Sequence, residues 1–298
     1  MTQPSNTQHA TATPYRGLRI AALVLALPAL ALLAYGTGLV HLPAAPVPQA
    51  QAADAQPQAQ SPAGAIPRTP EGRPDFSGIW ESLSGADYDL EPHGGREDAA
   101  PGRGVVIGDR IPYRPEALER RQQNFASRFS ADTTRLNCYS LGVPRSVYFP
   151  APFQIFQRPR DLSLIGQFGA VRTINTNDTQ HPDGPIGFWQ GDSRGHWDGD
   201  TLVVNVQDFN ADTWLDRAGN FHSEALRVTE RWRFLDANTI DYTATLEDPD
   251  VFTAPWTLQV ILYRHREPGF QLIENYCFTH EYDPYYPFPQ DSASGLQP

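Results

Sequence analysis

Leu226-Arg-Val-Thr-Glu-Arg-Trp-Arg-Phe234 alternates along its whole length. Leu226, Val228, Glu230, Trp232 and Phe234 share one side, and Arg227, Thr229, Arg231 and Arg233 share the other. Successive side chains of a strand point to opposite faces, so this period of two predicts a β-strand with one buried and one wet face. Glu230 is the exception on the buried face. An unpaired buried carboxylate is costly, so Glu230 must either meet an arginine, with Arg145 and Arg172 as candidates, or sit in a polar pocket.

Working outward, β-branched and aromatic runs separated by turn residues recur at 154–157, 162–168, 171–175, 201–206, 240–246, 258–264 and 271–278. Gly78-Ile79-Trp80 opens a first strand after the turn Arg73-Pro-Asp-Phe-Ser. One helix stands out, with Pro115 at its first position and Glu116, Leu118, Gln122, Phe125 and Phe129 at three- and four-residue spacing. Eight to ten strands joined by short turns, without strand–helix–strand alternation, predict a mainly β fold: an antiparallel meander closed into a barrel, or alternatively a β-sandwich. No internal repeat is visible, which argues against a propeller.

The N-terminal part reads differently. Arg16 and Arg19 precede an uncharged apolar run from Ile20 to Tyr35 that continues more weakly to Val40. That is a positive region followed by a hydrophobic one, long enough to span a bilayer although Pro28 interrupts it. Residues 1–15 are expected on the cytoplasmic side and 16–40 to form a signal anchor or a signal peptide. The 41–70 tract of Pro, Ala and Gln is expected to be a disordered tether, 71–290 the β-barrel domain and 291–298 a flexible tail. The arginine pair stays inside, which places the domain in the periplasm, held at the inner membrane by the N-terminal helix.

Composition excludes several functions. The chain carries 23 basic and 34 acidic residues, and every basic one is arginine. Three of the arginines and one acidic residue precede Glu71, leaving the remainder near −13. Such a domain repels phosphate backbones, so no nucleic-acid partner is expected. Without lysine there is no phosphate-loop lysine, no Schiff base and no lysine nucleophile. The two cysteines, Cys138 and Cys277, both fall in the exported part, where oxidation to a disulfide is the expectation. A nucleophilic cysteine would need a histidine beside it, and His280 falls on the opposite face of a strand from Cys277.

Two resemblances follow from these motifs. Gly78-Ile79-Trp80 resembles the lipocalin and wider calycin signature, in which the tryptophan closes one end of an eight-stranded barrel holding a small apolar ligand; the resemblance implies a lipocalin-like barrel. Asn137-Cys-Tyr-Ser-Leu-Gly-Val-Pro-Arg145, Trp189-Gln-Gly-Asp-Ser-Arg-Gly-His-Trp-Asp-Gly-Asp-Thr-Leu-Val-Val204, His222-Ser-Glu-Ala-Leu-Arg-Val-Thr-Glu-Arg231 and Pro255-Trp256 are similar to an uncharacterised family of exported proteins of Gram-negative bacteria. That likeness covers roughly residues 74–277 and implies no catalytic residue.

Candidate chemistry comes from the polar residues. His181 precedes Pro182 in an inter-strand loop, and Asp183 could set its tautomer, as the carboxylate partner of a general base does. Continued backward, the alternation of the 226–234 strand puts His222 and Glu224 on the same face as Glu230, so an imidazole and two carboxylates would line the interior and exchange protons there. Asp198 and Asp200 read as turn residues. Gly191-Asp-Ser-Arg-Gly195 has the spacing of a nucleophile elbow without its strand–turn–helix setting. No cofactor is implied. Zinc would have to use His181, His196 and His222, and none shows ligand spacing, so no metal residue is assigned. Six Trp, twelve Tyr and fifteen Phe suffice to wall an apolar pocket, with Trp189, Trp197, Trp214 and Arg145 as substrate-binding candidates. The functional expectation is an exported, cofactor-independent acid/base enzyme (lyase, isomerase or hydrolase) acting on a small, largely apolar molecule. The alternative is a non-catalytic carrier using the same pocket.

Overall fold

Nine strands close into one barrel in chain order: β1 (Gly78–Ser82), β2 (Phe153–Arg158), β3 (Asp161–Gly166), β4 (Val171–Asn175), β5 (Asp192–Asp198), β6 (Thr201–Gln207), β7 (Arg227–Asp236), β8 (Thr239–Glu247) and β9 (Trp256–Arg264). The structure, a computed structural model, describes residues 64–167, 170–273 and 275. The anchor, residues 41–63 of the tether, the tail and Cys277 lie outside the described residues, so those expectations and the Cys138–Cys277 pairing do too; residues 64–70, expected to belong to the disordered tether, are placed instead, with Arg68 bridged to Pro74 and paired with Asp200. Among the described residues no helix is long and apolar enough to cross a membrane. Gln271–Ile273, placed above in a final strand, belongs to none.

Barrel rather than sandwich is therefore the architecture, with one departure from a pure antiparallel meander. Neighbours pair antiparallel throughout, including β1 with β9, except that β4 and β5 run parallel through Ile174–Ser193 and Asn175–Arg194. Parity demands this. Nine strands that alternate strictly would bring β1 and β9 together parallel, so an antiparallel closure needs one parallel pair elsewhere. A parallel pair in turn needs a crossover instead of a hairpin. Residues 176–191 provide it, and they carry His181, Asp183 and Trp189.

β5 was hidden in the sequence because its inward positions are Ser193, Gly195 and Trp197, a small, polar and poorly hydrophobic set. The Gly199-Asp200 turn that follows is a two-residue hairpin between paired Asp198 and Thr201, with Gly199 at φ +60°. Asp200 is thus a turn residue, as read, while Asp198 is the last residue of β5 and flanks the turn; they bind Arg68 and Arg231 respectively.

The interior is packed. Trp80, Ile155, Leu162, Leu164, Ile174, Leu202, Val204, Val228, Trp232, Phe234, Tyr242, Ala244, Leu258 and Leu262 alternate inward and are buried. Each large apolar side chain so buried contributes about 1.5–3 kcal/mol. Trp80 has no exposed surface, donates from Nε1 to the Phe76 carbonyl at 2.8 Å, and is covered by the Arg264 guanidinium 4.2 Å from its ring. Phe76 stacks on Phe234 and Trp197 beside it, sealing this end with aromatic rings. Trp197 thereby serves packing.

The opposite end is covered by two long connections. One, residues 83–152 between β1 and β2, contains α1 (Pro115–Ala126) and three single turns, α2 (Arg128–Ala131), α3 (Thr133–Leu136) and α4 (Arg145–Tyr148). The other, 208–226, joins β6 to β7. Arginine–carboxylate pairs and buried hydrogen bonds bind the two together: Asp87 meets both Arg145 and Arg217, Tyr148 donates to the Leu215 carbonyl, and Asp216 accepts from the Leu90 amide. Only Ala117 of α1 is buried, so the apolar spacing read as a core stripe mostly stays at the surface.

Gly219 marks where the two connections touch. At φ +83°, any Cβ there would lie 2.6 Å from the Asn124 Cβ and 2.9 Å from the Phe125 amide nitrogen. Gly219→Ala is therefore expected to cost about 2 kcal/mol from backbone conformation and collision together. Urea unfolding of the variant measures it, and a loss under 0.5 kcal/mol would contradict the close approach.

Candidate functional site

The residues expected to form one interior acid/base cluster separate into three places. Glu230 stands on β7 inside the barrel, fully buried, and Arg172 on β4 grips it with both terminal nitrogens, Nη1 to Oε1 at 2.9 Å and Nη2 to Oε2. Arg172 Nε also donates to Ser193 Oγ at 3.0 Å, and the Tyr242 hydroxyl donates to Glu230 Oε1 at 2.7 Å. Of the two outcomes the sequence left open for Glu230, the arginine pair is realised, with Arg172. Burial first, and then the Glu230 carboxylate, push the Tyr242 hydroxyl well above the ordinary phenol range. It stays a neutral donor.

His222 and Glu224 do not join them, because β7 begins only at Arg227 and the alternation does not extend backward through the turn. That turn is set by Asp248, which accepts from the Ser223 amide at 2.6 Å and the Ser223 hydroxyl at 2.8 Å. Glu224 consequently faces solvent. His222 is buried in the 208–226 connection, where Nδ1–H donates to the Ser223 carbonyl and Nε2 accepts from Thr213 Oγ1. Burial holds its pKa below the usual histidine value. Both nitrogens are occupied by a neutral ring, as in a structural histidine.

His181 does find a carboxylate, but not its sequence neighbour. Its Nδ1 lies 2.6 Å from Asp192 Oδ2 at the start of β5, while Asp183 is exposed. Arg194 clamps the same Asp192 through Nε at 2.6 Å and Nη2 at 2.7 Å. Asp208, at the end of β6, completes the group, and its Oδ2 is buried without a hydrogen-bond partner. β5 and β6 bring these carboxylates together because Asp192 pairs with Gln207 at the barrel rim. Sequence spacing signalled the loop but not the partner, which depends on the crossover returning to that rim. His196 points outward from β5 and His222 lies elsewhere, so the three histidines weighed for zinc do not converge.

The substrate-binding candidates are likewise dispersed. Arg145 is buried against Asp87, with Nε to Oδ1 at 2.8 Å, and donates to the Trp214 carbonyl. Trp214 is buried in the same cap, and its amide donates to Thr134 Oγ1. Both hold the two connections together. Trp189 packs against Tyr139, with centroids 4.3 Å apart and ring planes tilted by 38°.

Sequence reading missed a groove over the capped end. It has a volume of about 720 Å³ and lies between the α2–α3 segment and the start of β4, walled by Phe129, Leu136, Tyr139, Leu141, Phe149 and Val171. Asp132, Thr134, Ser140 and the arginines Arg128, Arg135 and Arg217 supply the polar part of the wall, and Asp132 Oδ2 is buried with no hydrogen-bond partner. Burial raises the Asp132 carboxyl above its ordinary value, against the pull of Arg145 and the Arg135 amide. A smaller cavity of about 40 Å³ adjoins the groove, sharing Leu141, Phe149 and Ala170, and reaches Arg172 and the buried Gln190. Neither feature was legible beforehand, because their walls come from single turns and rim residues without a periodic signature.

Fold and site together define a nine-stranded mixed β-barrel with a filled interior, one end sealed by aromatic rings and the other covered by a helical cap that carries a groove. No family model, curated protein or solved structure matches the chain.

Proposed function

We propose that the protein binds a small, largely apolar molecule in the groove of the cap, outside the barrel lumen. One observation carries this: a concave space of about 720 Å³ whose walls are mostly aromatic and aliphatic, with a buried carboxyl, Asp132, whose pKa is raised, and the arginines Arg128, Arg135 and Arg217 among its polar lining. Ligand sites are commonly of this size, mostly apolar, with few polar groups to fix orientation. The packed interior removes the lumen as the holding space, so the lipocalin-like part of this reading is limited to the closing tryptophan and the handling of an apolar ligand. Export to the periplasm, with the N-terminal segment as anchor, belongs to the same proposal and rests on the Arg16–Val40 pattern.

Binding without turnover is the better-supported form. Glu230 is committed to Arg172 and His222 to two hydrogen bonds, which leaves little free acid/base capacity in the interior. The enzyme reading keeps one favourable observation, His181 oriented by Asp192 as a general base would be.

The test uses the full-length chain and the uncharged fluorophore N-phenyl-1-naphthylamine. Saturable enhancement at micromolar concentration is expected in the wild type. Leu141→Trp, which fills the groove, is expected to weaken binding at least tenfold while leaving the melting temperature within a few degrees. Equal binding by wild type and variant would place the ligand elsewhere.

A further inference from the structure

The geometry points to a divalent transition-metal site, for an ion such as Zn²⁺ or Mn²⁺, formed by His181, Asp192 and Asp208 at the barrel rim. One ligand atom from each residue can be chosen so that all three lie within 4.8 Å of one another, close enough for one ion to reach all three after small side-chain rotations. The donor set is one imidazole nitrogen and two carboxylate oxygens. Imidazole suits zinc, and carboxylate oxygen suits both zinc and manganese, so the mixture selects a borderline cation.

Asp208 supplies the second, independent observation. Its Oδ2 is sealed from solvent and accepts no hydrogen bond. A carboxylate oxygen left this way has lost its water without gaining a donor, a costly state that a cation would relieve. Arg194 already neutralises Asp192 from the other side through two hydrogen bonds. Asp208 adds a second carboxylate to the group, which draws an ion in. Arg194 would remain in place and hold Asp192 steady, as outer partners of metal carboxylates do.

The three residues come from separate pieces of chain. His181 belongs to the 176–191 crossover, Asp192 opens β5, and Asp208 follows β6. Backbone bonds already register the crossover on this rim: the Phe188 amide donates to the Asp208 carbonyl at 2.8 Å, and the Asn210 amide to the Phe188 carbonyl at 3.1 Å. A bound ion would therefore pin the crossover that the parallel β4–β5 pair requires. His181, half-buried, leaves room for solvent to complete the coordination.

The experiment is a Co²⁺ titration of the full-length chain followed by visible absorption, with Zn²⁺ as competitor, repeated on Asp208→Asn and His181→Ala. Asp208 sits at φ +62°, a conformation asparagine tolerates well, so Asp208→Asn removes the charge without disturbing the turn. Stoichiometric Co²⁺ bands displaced by one equivalent of Zn²⁺ are expected, with the dissociation constant raised at least tenfold in each variant. Zn²⁺ is also expected to raise the melting temperature of the wild type and not of Asp208→Asn. Absence of bands in the wild type, or binding equal in wild type and Asp208→Asn, would overturn the site.

Discussion

Replacing Glu230 by leucine is expected to destabilise the protein by about 3–5 kcal/mol, the scale seen when one partner of a buried ion pair is removed. The pair stands in the lumen, with Glu230 at 0% and Arg172 at 4% side-chain exposure, so water cannot replace the missing group. Leucine would leave the Arg172 guanidinium with Ser193 alone, and would strand the Tyr242 hydroxyl that now donates to Glu230. The double variant Arg172→Leu with Glu230→Leu is expected to recover most of the loss, since a hydrophobic pair of similar bulk no longer buries a charge. Urea unfolding of the two single variants and the double variant closes the cycle. Single variants within 1 kcal/mol of wild type would show that the pair is solvated in solution and the lumen less tightly packed than described.

A contribution of Asp216 to stability that falls between pH 4 and pH 8 is the second large effect expected. Its carboxyl is pushed up to about 7, first by burial and then by the Asp89 carboxylate, against the amides of Leu90 and Asn220 and the Asn220 side chain, which favour the ionised form. A carboxyl whose folded pKa exceeds its unfolded value of 3.8 binds protons more tightly when folded. Its contribution is complete below pH 3.8 and is lost as pH rises through about 7.

Two other groups act in the opposite sense. His222, with its pKa lowered by burial, favours the fold increasingly as pH rises toward 6.5. Asp98, held at about 2 by Arg128, loses its contribution only as pH falls from 3.8 through 2. The Asp216 effect is therefore read as a difference: the unfolding free energy of wild type minus that of Asp216→Asn, followed from pH 4 to pH 8. A difference that stays level across that range would show that Asp216 is ionised throughout and held by its hydrogen-bond donors.

The two effects also separate what was legible from what was not. Glu230 was visible as an anomaly because a carboxylate broke an otherwise apolar alternation, and the two candidate partners followed from the need to neutralise it. Asp216 gave no such signal. It falls in a turn-rich stretch where aspartate is ordinary, and its burial arises only because the 83–152 connection folds over it, placing the Leu90 amide on its Oδ2.

Local pattern by itself determined the strands with strong alternation, the inward face of β7 and the turn between Asp198 and Thr201. These properties depend on near neighbours along the chain, where the two-residue period of a strand acts directly. Tertiary structure decided the rest. Whether sheets close or stack depends on β1 meeting β9, and the parallel β4–β5 pair follows from the parity of nine strands. Glu224 moved to solvent because one turn breaks the alternation, His181 took Asp192 over Asp183 because the crossover returns to the rim, and the groove formed where a cap lies against β4. Each of these contacts joins residues that no spacing rule relates, since the free energy that selects them comes from closing the barrel and covering its end.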